Sequence, residues 1–389
     1  MSALDTVIVG GGAMGSAAAF ALASRGRQVT LLERFAPGHH NGASHGATRN
    51  FSLGYSNETY LAMLREALPA WDAIEAESGV TLFTHSGIVS HGADAAYPAI
   101  AEAVRAAGLE AEFLGLDDAA ERWAGIRFDT QVLHFPQGGQ VNADRTVETL
   151  QRLAAAHGAE VRHGAHVLSI EVRGDDEVRI TVQTDGGVET LTARQVVVTA
   201  GAWTSALLAG VTTTPRTYVT QEQPAHFAVA DPDAVWPGFN HRFTPGQPGY
   251  EYWYSAIYGM LTPGEGVKAG WHAVGPLTDP DARTFVPEPE QLAALQRYAR
   301  DWLPGADADS LVDVSCTYTL TDDENFIIDR VGPVIIGAGF SGHGFKFVPV
   351  VGRMLADLVD GSSAAPGLFA AGRTASGSLF KISTEPAPR

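Results

Sequence analysis

The chain has 389 residues, 45% of them hydrophobic, and its 26 basic and 44 acidic residues give a formal net charge of −18. This length usually exceeds one compact core, and the acidic balance argues against nucleic-acid binding, which depends on clustered basic residues. Its single cysteine, Cys316, excludes an internal disulfide and a cysteine-based metal cluster; with the lack of a leader-like N-terminus, this predicts a cytoplasmic protein.

The first residues predict a β-strand, a glycine-rich turn, a helix and a second strand. The uncharged run from Val7 to Ala23 contains four glycines and is shorter than the about 20 apolar residues that cross a membrane. We therefore assign it to a buried strand and helix. The first strand is predicted at Thr6 to Val9, and the second is predicted at Gln28 to Leu32 and ends in Glu33.

Three glycines in this unit fit the pattern G-x-G-x-x-G. Gly10 allows the tight turn, Gly12 lets the backbone approach a pyrophosphate, and Gly15 lets the helix and strand pack closely. The helix N-terminus binds phosphate through its free amides, and Glu33 can accept hydrogen bonds from a ribose. The whole unit therefore predicts a Rossmann-type dinucleotide site.

The middle of the chain alternates between helical and β-like patterns. Periodicity predicts helices at Glu58 to Gly79 and Ala95 to Gly108, and a helix feeding a strand within Ala143 to Val161. Val167 to Trp203 shows three runs of β-like alternation and closes on an apolar strand. A Rossmann start with a β-meander and a late returning strand is typical of flavoproteins rather than NAD dehydrogenases.

The last part of the chain returns to strand-like sequence. Aromatic-rich strands are predicted from about Tyr218 to Trp271, and a helix is predicted near Glu288 to Trp302. A strand at Gly332 to Phe340 leads into a helix that ends at Gly361, because glycine suits a C-terminal stop. The N-terminus of this helix, which favours negative charge, is predicted near Gly342, His343, Gly344 and Lys346.

Five motifs in one order resemble the monomeric sarcosine oxidase and N-methyltryptophan oxidase family of flavoenzymes, over nearly the whole chain. The motifs are VIVGGGAMGSAAAFALASRG, ASHGATR (Ala43 to Arg49), VKAGWH (Val267 to His272), SCTYTLTDDENFIID and GFSGHGFKF (Gly339 to Phe347). The resemblance implies an α/β (α+β) fold, in which a Rossmann-type FAD-binding domain is joined by a second, mainly antiparallel β domain that covers the substrate face of the flavin.

The same resemblance implies how the chain divides. Segments 1–55, 141–215 and 316–389 are expected to form the discontinuous FAD-binding domain. Segments 56–140 and 216–315 are expected to form the substrate domain. These boundaries are approximate.

Members of the family oxidise secondary or cyclic amines, usually amino acids, and pass the electrons to oxygen. The resemblance thus implies a monomeric FAD-dependent oxidase of a secondary or N-methylated amine, which forms an imine and H2O2. Alternatives are a dehydrogenase or demethylase with a non-oxygen acceptor, an oxidase of a bulkier substrate without a carboxylate, and an NAD(P)-binding oxidoreductase or nucleotide-binding regulatory module. Lys268 argues against the first alternative, and Cys316 argues against the last.

The lone cysteine has a role in this family. A cysteine followed by one residue and a tyrosine, as in Cys316-Thr317-Tyr318, is bonded through sulfur to the 8α-methyl of FAD. An arbitrary free cysteine is more often a small buried hydrophobe. The surrounding motif favours the flavin link.

Cations are expected around the flavin. In GVKAGWH the period of two places Lys268 and His272 on one strand face, and the resemblance implies that Lys268 activates oxygen. Without the resemblance, a strand lysine is usually a solvated edge charge. His45 and Arg49 lie over the isoalloxazine ring in the family. Lys346 and its helix are expected to stabilise the anionic reduced flavin.

The predicted site divides into three sets. The cofactor-binding set is Gly10, Gly12, Gly15, Glu33, Arg34, Ser44, His45, Thr48, Arg49, Val167, Gly201, Cys316, Gly339, Gly342, Gly344, Phe345 and Lys346. The catalytic set is Lys268, His45, Arg49, His272, Lys346 and Tyr318. The substrate pocket set is Ser52, Tyr55, Tyr252 and Tyr254, of which the last two are predicted to share a strand face. His39 and His40 lack a third ligand at suitable spacing, so no metal site is predicted.

One position departs from the family pattern. A second arginine, three residues after the HGxTR motif, grips the substrate carboxylate in the family together with the lysine that matches Lys346. This chain has Ser52 there. Because a hydroxyl does not reproduce bidentate recognition by arginine, we expect weak activity on sarcosine and a preference for a bulkier amine.

Overall fold

The computed structural model describes residues 3–231 and 233–375. Its helices are α1 (Ala13–Ser24), α2 (Glu58–Ser78), α3 (Tyr97–Ala106), α4 (Leu116–Arg122), α5 (Ala143–Ala156), α6 (Thr204–Leu208), α7 (Pro289–Trp302) and α8 (Val348–Asp360). Its strands are β1 (Leu4–Val9), β2 (Val29–Leu32), β3 (Arg49–Phe51), β4 (Phe83–Thr84), β5 (Ile88–Gly92), β6 (Glu112–Leu114), β7 (Val132–Phe135), β8 (Gly139–Val141), β9 (Glu160–Arg162), β10 (His166–Gly174), β11 (Glu177–Thr184), β12 (Gly187–Val198), β13 (Thr217–Glu222), β14 (Ala225–Phe227), β15 (Gly238–Arg242), β16 (Ile257–Thr262), β17 (Gly266–Trp271), β18 (Val312–Asp313), β19 (Cys316–Thr321), β20 (Ile327–Val331) and β21 (Val334–Ala338).

The first large sheet is built around the N-terminal βαβ unit. Its strands run in the order β10-β11-β12-β1-β2-β9, and β21 pairs with β12 and β20. β1 lies parallel to both β2 and β12, whereas β10, β11 and β12 form an antiparallel meander. The predicted βαβ unit, the meander and the returning strand are therefore confirmed, and α1 packs on the sheet because its small residues permit close approach.

Two glycines set that approach. A Cβ on Gly15 would lie 1.9 Å from the carbonyl oxygen of Gly10, and a Cβ on Gly352 would lie 2.6 Å from the Cβ of Ala17. Any larger residue would force α1 away from β1 or from α8. The first contact keeps the N-terminus of α1 next to the end of β1, which is where the predicted dinucleotide site requires it.

The second large sheet has the order β18-β14-β17-β16-β15-β5-β7-β6. One of its faces packs on an aromatic core, which includes Trp253, Tyr298 and Trp302. α7 covers this core with its apolar face. Its bounds agree with the helix predicted near Glu288 to Trp302. Since β5 to β7 and β14 to β18 come from distant parts of the chain, this sheet closes only when both segments are present.

Two small sheets complete the fold around the site. β3, β8 and β4 form one of them, and β13 pairs antiparallel with β19 in the other. In the β13–β19 register Cys316 lies opposite Glu222, and Tyr318 lies opposite Thr220. Because side chains alternate along a strand, Cys316 and Tyr318 of the predicted flavin-link motif lie on the same face of β19.

The prediction that Tyr252 and Tyr254 share a strand face is wrong. Residues 243–256, between β15 and β16, form turns and irregular backbone. Gly246 and Gly249 have φ angles of 84° and 90° within this segment, and each directly follows a proline. Prolines lack the amide needed for a ladder, and positive φ favours turns, so the aromatic pattern did not produce a strand here.

The strands of the two large sheets fall in different predicted segments. Those of the first sheet lie within 1–55, 141–215 and 316–389, and those of the second lie within 56–140 and 216–315. α2, however, comes from segment 56–140, and its Trp71 shares a buried core with Phe347 beside α8. The domain boundaries stay a prediction, and residues 376–389 lie outside the described part of the chain.

None of the described helices combines the length and the apolar character needed to cross a membrane.

Candidate active site

A cavity of about 2030 Å³ lies where the two large sheets meet. Its wall includes Val9 and Leu32, at the carboxyl ends of β1 and β2, and Asn240 and Lys268 from the second sheet. Ligands of open α/β sheets bind at the carboxyl ends of the strands. A pocket for one drug-sized ligand usually measures about 300 to 1,000 Å³, so this cavity has room for a dinucleotide and a substrate together.

The predicted dinucleotide end of the cavity is formed as expected. Gly10 has a φ of 102°, and a Cβ there would lie 2.5 Å from the carbonyl oxygen of Thr199. Gly12 is the N-cap of α1 and provides no side chain to cap it. Gly10 and Gly12 line the cavity, whereas Gly15 lies behind them and has the packing role predicted for it.

Glu33 lies at the end of β2, beside this glycine turn. Its two carboxylate oxygens accept hydrogen bonds from the backbone amides of Gly11, at 2.7 Å, and Phe35, at 2.9 Å. Burial favours a higher pKa for Glu33, but hydrogen bonds from His39, Phe35 and Gly11 outweigh it and lower the pKa. The carboxylate is therefore held ionised, as an acceptor for ribose hydroxyls must be.

A cluster of cations forms the wall nearest the predicted flavin link. The ammonium of Lys268 donates to the carbonyl oxygen of Thr48 at 2.6 Å. The guanidinium of Arg49 donates to the carbonyls of Thr48, Ala43 and His45, and one of its nitrogens lies 4.0 Å from the sulfur of Cys316. The sequence motifs ASHGATR, VKAGWH and SCTYT thus meet at one place.

His45 has an unsatisfied ring nitrogen in this wall. Its side chain is buried and lines the cavity, and no described residue forms a hydrogen bond with its Nε2. Burial, followed by the charge of Arg49, lowers the pKa of His45 to about 2. A neutral imidazole with a free buried nitrogen fits a site that a polar group of a ligand completes.

Lysine is rare in this chain, which has three, and two of them lie in the cavity wall. Burial, and then the neighbouring charge of Arg49, lowers the pKa of Lys268 to about 7. Burial lowers the pKa of Lys346 to about 7 as well. The prediction that Lys268 is not a solvated edge charge is confirmed by its burial.

Lys346 lies in a 3₁₀ turn, Phe345–Phe347, that directly precedes α8. Its ammonium donates to the hydroxyl of Tyr55 at 3.1 Å and to the carbonyl of His343 at 2.8 Å. The indole of Trp71 in turn donates to the Lys346 carbonyl at 2.9 Å. The packing of α2 against this turn therefore fixes the position of the second cavity lysine.

Tyr318 and His272 line the cavity next to each other, with ring centroids 5.5 Å apart. His272 follows β17, and its backbone amide donates to the carbonyl of Ala256 at 3.1 Å. Burial, followed by the charges of Arg242 and Lys346, lowers the pKa of His272 to about 4. The imidazole is therefore neutral near pH 7.

Tyr258 is a cavity residue that the sequence analysis missed. It pairs with Gly270 across β16 and β17, and a Cβ on Gly270 would lie 2.8 Å from its hydroxyl. Its hydroxyl forms a hydrogen bond with that of Tyr318, and burial raises the pKa of both phenols. The glycine between Lys268 and His272 was the available signal, because it leaves room for a large partner across the sheet.

Most other predicted cofactor residues line the same cavity. Arg34 also forms an ion pair of 2.6 Å with Asp281. Gly342 has a φ of 73°, and a Cβ there would lie 2.3 Å from the ring of Tyr318. The predicted residues in the cavity wall, besides those described above, are Arg34, Ser44, Thr48, Val167, Gly201, Gly339, Gly342, Gly344 and Phe345.

The predicted substrate pocket is formed only in part. Ser52, Tyr55 and Tyr254 line the cavity. Tyr252 does not, because its hydroxyl bonds to Asp301 at 3.0 Å and its ring lies under the guanidinium of Arg297. Arg242 and Asp94, which the sequence analysis did not single out, line the cavity as an ion pair of 2.6 Å.

A second group of titratable residues lies away from this cavity. Side-chain ligand atoms of His91, Asp129 and His241 lie within 4.8 Å of one another. The two imidazoles are in contact, with centroids 3.8 Å apart and ring planes tilted by 32°, and aromatic rings surround them, among them Trp302. Burial lowers the pKa of His91 to about 3. Two neutral rings in contact within an aromatic core are consistent with packing.

The residues in the cavity fit FAD. The glycine turn and the N-terminus of α1, whose N-cap Gly12 has no side chain, can receive a pyrophosphate, and Glu33 is placed for a ribose. The unpartnered Nε2 of His45 can bond to a polar group of the ring system. The sulfur of Cys316 faces the same space.

Comparisons with known proteins agree with this arrangement. A family model described as DAO, FAD dependent oxidoreductase, matches residues 5–358. The chain is 33% identical to a monomeric sarcosine oxidase from Bacillus sp. (strain NS-129), over 91% of this chain and 92% of the relative. It is 29% identical to an N-methyl-L-tryptophan oxidase from Yersinia pestis, over 90% and 94% of the two chains. Among solved structures, the open form of NikD, an unusual amino acid oxidase essential for nikkomycin biosynthesis, has a TM-score of 0.83 and 29% identity, over 97% and 100% of the two chains.

The low pKa of Lys346 predicts a pH dependence of stability. Its pKa is about 7 in the folded protein against the usual lysine value of 10.5, so between these values the unfolded chain holds the extra proton. The free energy of unfolding should therefore rise with pH in this window, by up to about 1.4 kcal/mol per pH unit from this group. Urea unfolding of flavin-free protein should show a shallower rise in Lys346→Met. Arg65→Met, which removes an exposed arginine, is the control, and equal slopes in wild type and Lys346→Met would contradict the prediction.

Proposed function

Since this chain belongs to the family of FAD-dependent oxidoreductases, we propose that it oxidises the C–N bond of a secondary or N-methylated amine and reduces oxygen to H2O2. The amine becomes an imine. The observation that carries this proposal is the meeting of a buried Lys268, Arg49 and Cys316 on one cavity wall. The named activities of its relatives, sarcosine oxidase and N-methyl-L-tryptophan oxidase, support the substrate class.

Two parts of the chain would hold the cofactor. The glycine turn at Gly10 to Gly12 would bind the pyrophosphate of FAD, and Glu33 would bind a ribose. Cys316 would carry the ring system through a thioether, in the place that the family motif gives it. When bound, FAD accepts the two electrons and the hydrogen that leave the substrate.

The chain's own groups favour the reactive form of the substrate. An amine must be uncharged to give up electrons from its nitrogen, and the nearby cations Lys268 and Lys346 disfavour an ammonium ion. The neutral imidazole of His272 and the hydroxyls of Tyr258 and Tyr318 can form hydrogen bonds with a neutral amine. These groups can thus orient the nitrogen without charging it.

Lys268 would serve the oxygen half of the reaction. Negative charge develops on oxygen as it is reduced, and a fixed ammonium in a site shielded from water stabilises that charge. The Thr48 carbonyl, 2.6 Å from its nitrogen, holds the ammonium in place. Lys346 and the 3₁₀ turn before α8 would favour negative charge in the part of the cavity that they line.

We also propose that the protein acts as a monomer on a small-molecule amine. One of its relatives is named a monomeric sarcosine oxidase. The formal net charge of −18 gives no basic surface for nucleic acid.

Oxygen consumption tests the proposed function. N-methylated amino acids and cyclic secondary amines should cause oxygen uptake and an equal yield of H2O2. A dye or quinone reduced by the amine without oxygen uptake would instead indicate a dehydrogenase. If no amine of either class bleaches the visible flavin absorbance of the purified protein, the proposed function is wrong.

The flavin link gives a prediction that needs no substrate. Acid-precipitated wild-type protein should stay yellow because the thioether survives denaturation, whereas Cys316→Ala should release its flavin into the supernatant. Absorbance of both fractions measures this. Free FAD from the wild type would exclude the link, and Thr317→Ala, one residue along the strand, should retain the bound flavin.

Lys268 gives a kinetic prediction. Lys268→Met removes the ammonium while keeping an unbranched side chain, so reoxidation of the reduced enzyme by oxygen should slow by at least about a hundredfold. Reduction by substrate should change much less. Stopped-flow absorbance separates the two half-reactions. Equal effects on both would contradict a specific role in oxygen reduction.

Ser52 predicts substrate preference. Its hydroxyl accepts a hydrogen bond from the Gly54 amide at 3.2 Å and therefore turns toward its own backbone. Loss of a charged hydrogen bond costs about 1.5 to 3 kcal/mol, or about tenfold to a hundredfold in affinity. Ser52→Arg should raise kcat/KM for sarcosine by a factor in that range. Efficient sarcosine oxidation by the wild type, with no gain in Ser52→Arg, would refute this interpretation of the pocket.

A further inference from the structure

We propose that Arg242, held by Asp94, is an anion-binding residue of the substrate site, and that the amine oxidised by this chain carries a carboxylate that reaches it. This inference rests on the proposed function for the identity of the site. It names the group that takes over the recognition that Ser52 does not provide.

The position of Arg242 follows from the alternation of β15. Phe239 and His241 point into the aromatic core of the second sheet, whereas Asn240 and Arg242 line the cavity. β15 runs parallel to β5, and a Cβ on Gly92 would lie 1.9 Å from the carbonyl oxygen of Arg242. The close approach of these two strands fixes the backbone from which the guanidinium extends.

Asp94 orients the guanidinium while leaving part of it available. Nη1 of Arg242 donates to Oδ2 of Asp94 at 2.6 Å, and the other carboxylate oxygen accepts from the Ala96 amide at 2.8 Å. Among the described residues, Nε and Nη2 of Arg242 have no hydrogen-bond partner. These two nitrogens form one edge of the planar guanidinium, which is the edge that binds a carboxylate with two parallel hydrogen bonds.

The charge of Arg242 acts at the substrate end of the cavity. After burial, it is the largest of the influences that lower the pKa of His272, ahead of Lys346. It also opposes the rise that burial causes in the pKa of Tyr55. Arg242 and Lys346 therefore act on the same imidazole, and a carboxylate between them would meet two cations.

The other arginines that line the cavity are already engaged. Arg49 donates to three backbone carbonyls, Arg34 is paired with Asp281 beside Trp203, and Arg152 donates to the carbonyl of Ser78. Ser52 is bonded to Gly54. Arg242 is thus the cavity arginine whose free guanidinium edge suits a substrate carboxylate, and its side chain is 30% exposed.

Binding of small anions tests the proposal without turnover. Flavin-loaded wild type, Arg242→Gln, Arg242→Lys and Arg65→Gln are titrated with acetate, and with acetamide as the uncharged match, while the visible flavin absorbance is recorded. We expect the wild type and Arg65→Gln to bind acetate, and Arg242→Gln to bind it at least about tenfold more weakly. Arg242→Lys, which can keep the ion pair with Asp94, should lie between them. Acetamide binding should not change.

Acetate affinity in Arg242→Gln equal to that of the wild type would overturn the proposal, and so would a wild type that binds no carboxylate. If Arg242→Gln does not retain flavin, the comparison rests on Arg242→Lys. Once a substrate is known, Arg242→Gln should raise KM for amines that carry a carboxylate. It should leave KM unchanged for matched amines that lack one. If no amine is oxidised but acetate binding still depends on Arg242, the proposed function fails and the anion site stands.

Discussion

A buried ammonium group joins the two halves of the site. Lys268 belongs to β17 of the second sheet, and its hydrogen bond of 2.6 Å ends on Thr48, in the loop that leads from the dinucleotide unit into β3. The hydroxyl of Thr48 also bonds to Thr262 of β16 at 2.7 Å. A desolvated cation tolerates few positions, because each lost hydrogen bond leaves charge uncompensated. The bond therefore fixes the distance between the loop that carries Thr48 and β17, which His272 follows.

The cavity wall carries both signs of charge, although the whole chain is strongly acidic with a net charge of −18. Acids such as Glu33, Asp94 and Asp281 line it, and so do the cations Arg49, Lys268, Lys346 and Arg242. Salt screens the charges on the surface of the protein. Inside the cavity the dielectric is lower and these cations are screened less, so anionic groups of a cofactor or substrate are favoured next to them.

Sequence patterns predicted the parts of the site that depend on neighbouring residues. The glycine turn, Glu33 and the motif around Cys316 are short-range features, and the structure places them together. Tyr252 failed because turns formed by glycine and proline interrupt the expected strand. Arg242 could not have been found by pattern, because its partner Asp94 is 148 residues away and meets it only through the parallel pairing of β15 with β5.

The scarcity of lysine has a consequence for chemical modification. The chain contains three lysines, and Lys268 and Lys346 lie in the cavity with pKa values lowered by burial to about 7. As the pH rises above 7, a growing fraction of each becomes an uncharged amine, which is the nucleophilic form. Among the described residues, aldehydes small enough to enter the cavity would therefore condense with these two lysines, and small activated esters would acylate them. Such reagents could label this cavity in a mixture of proteins whose lysines are on the surface.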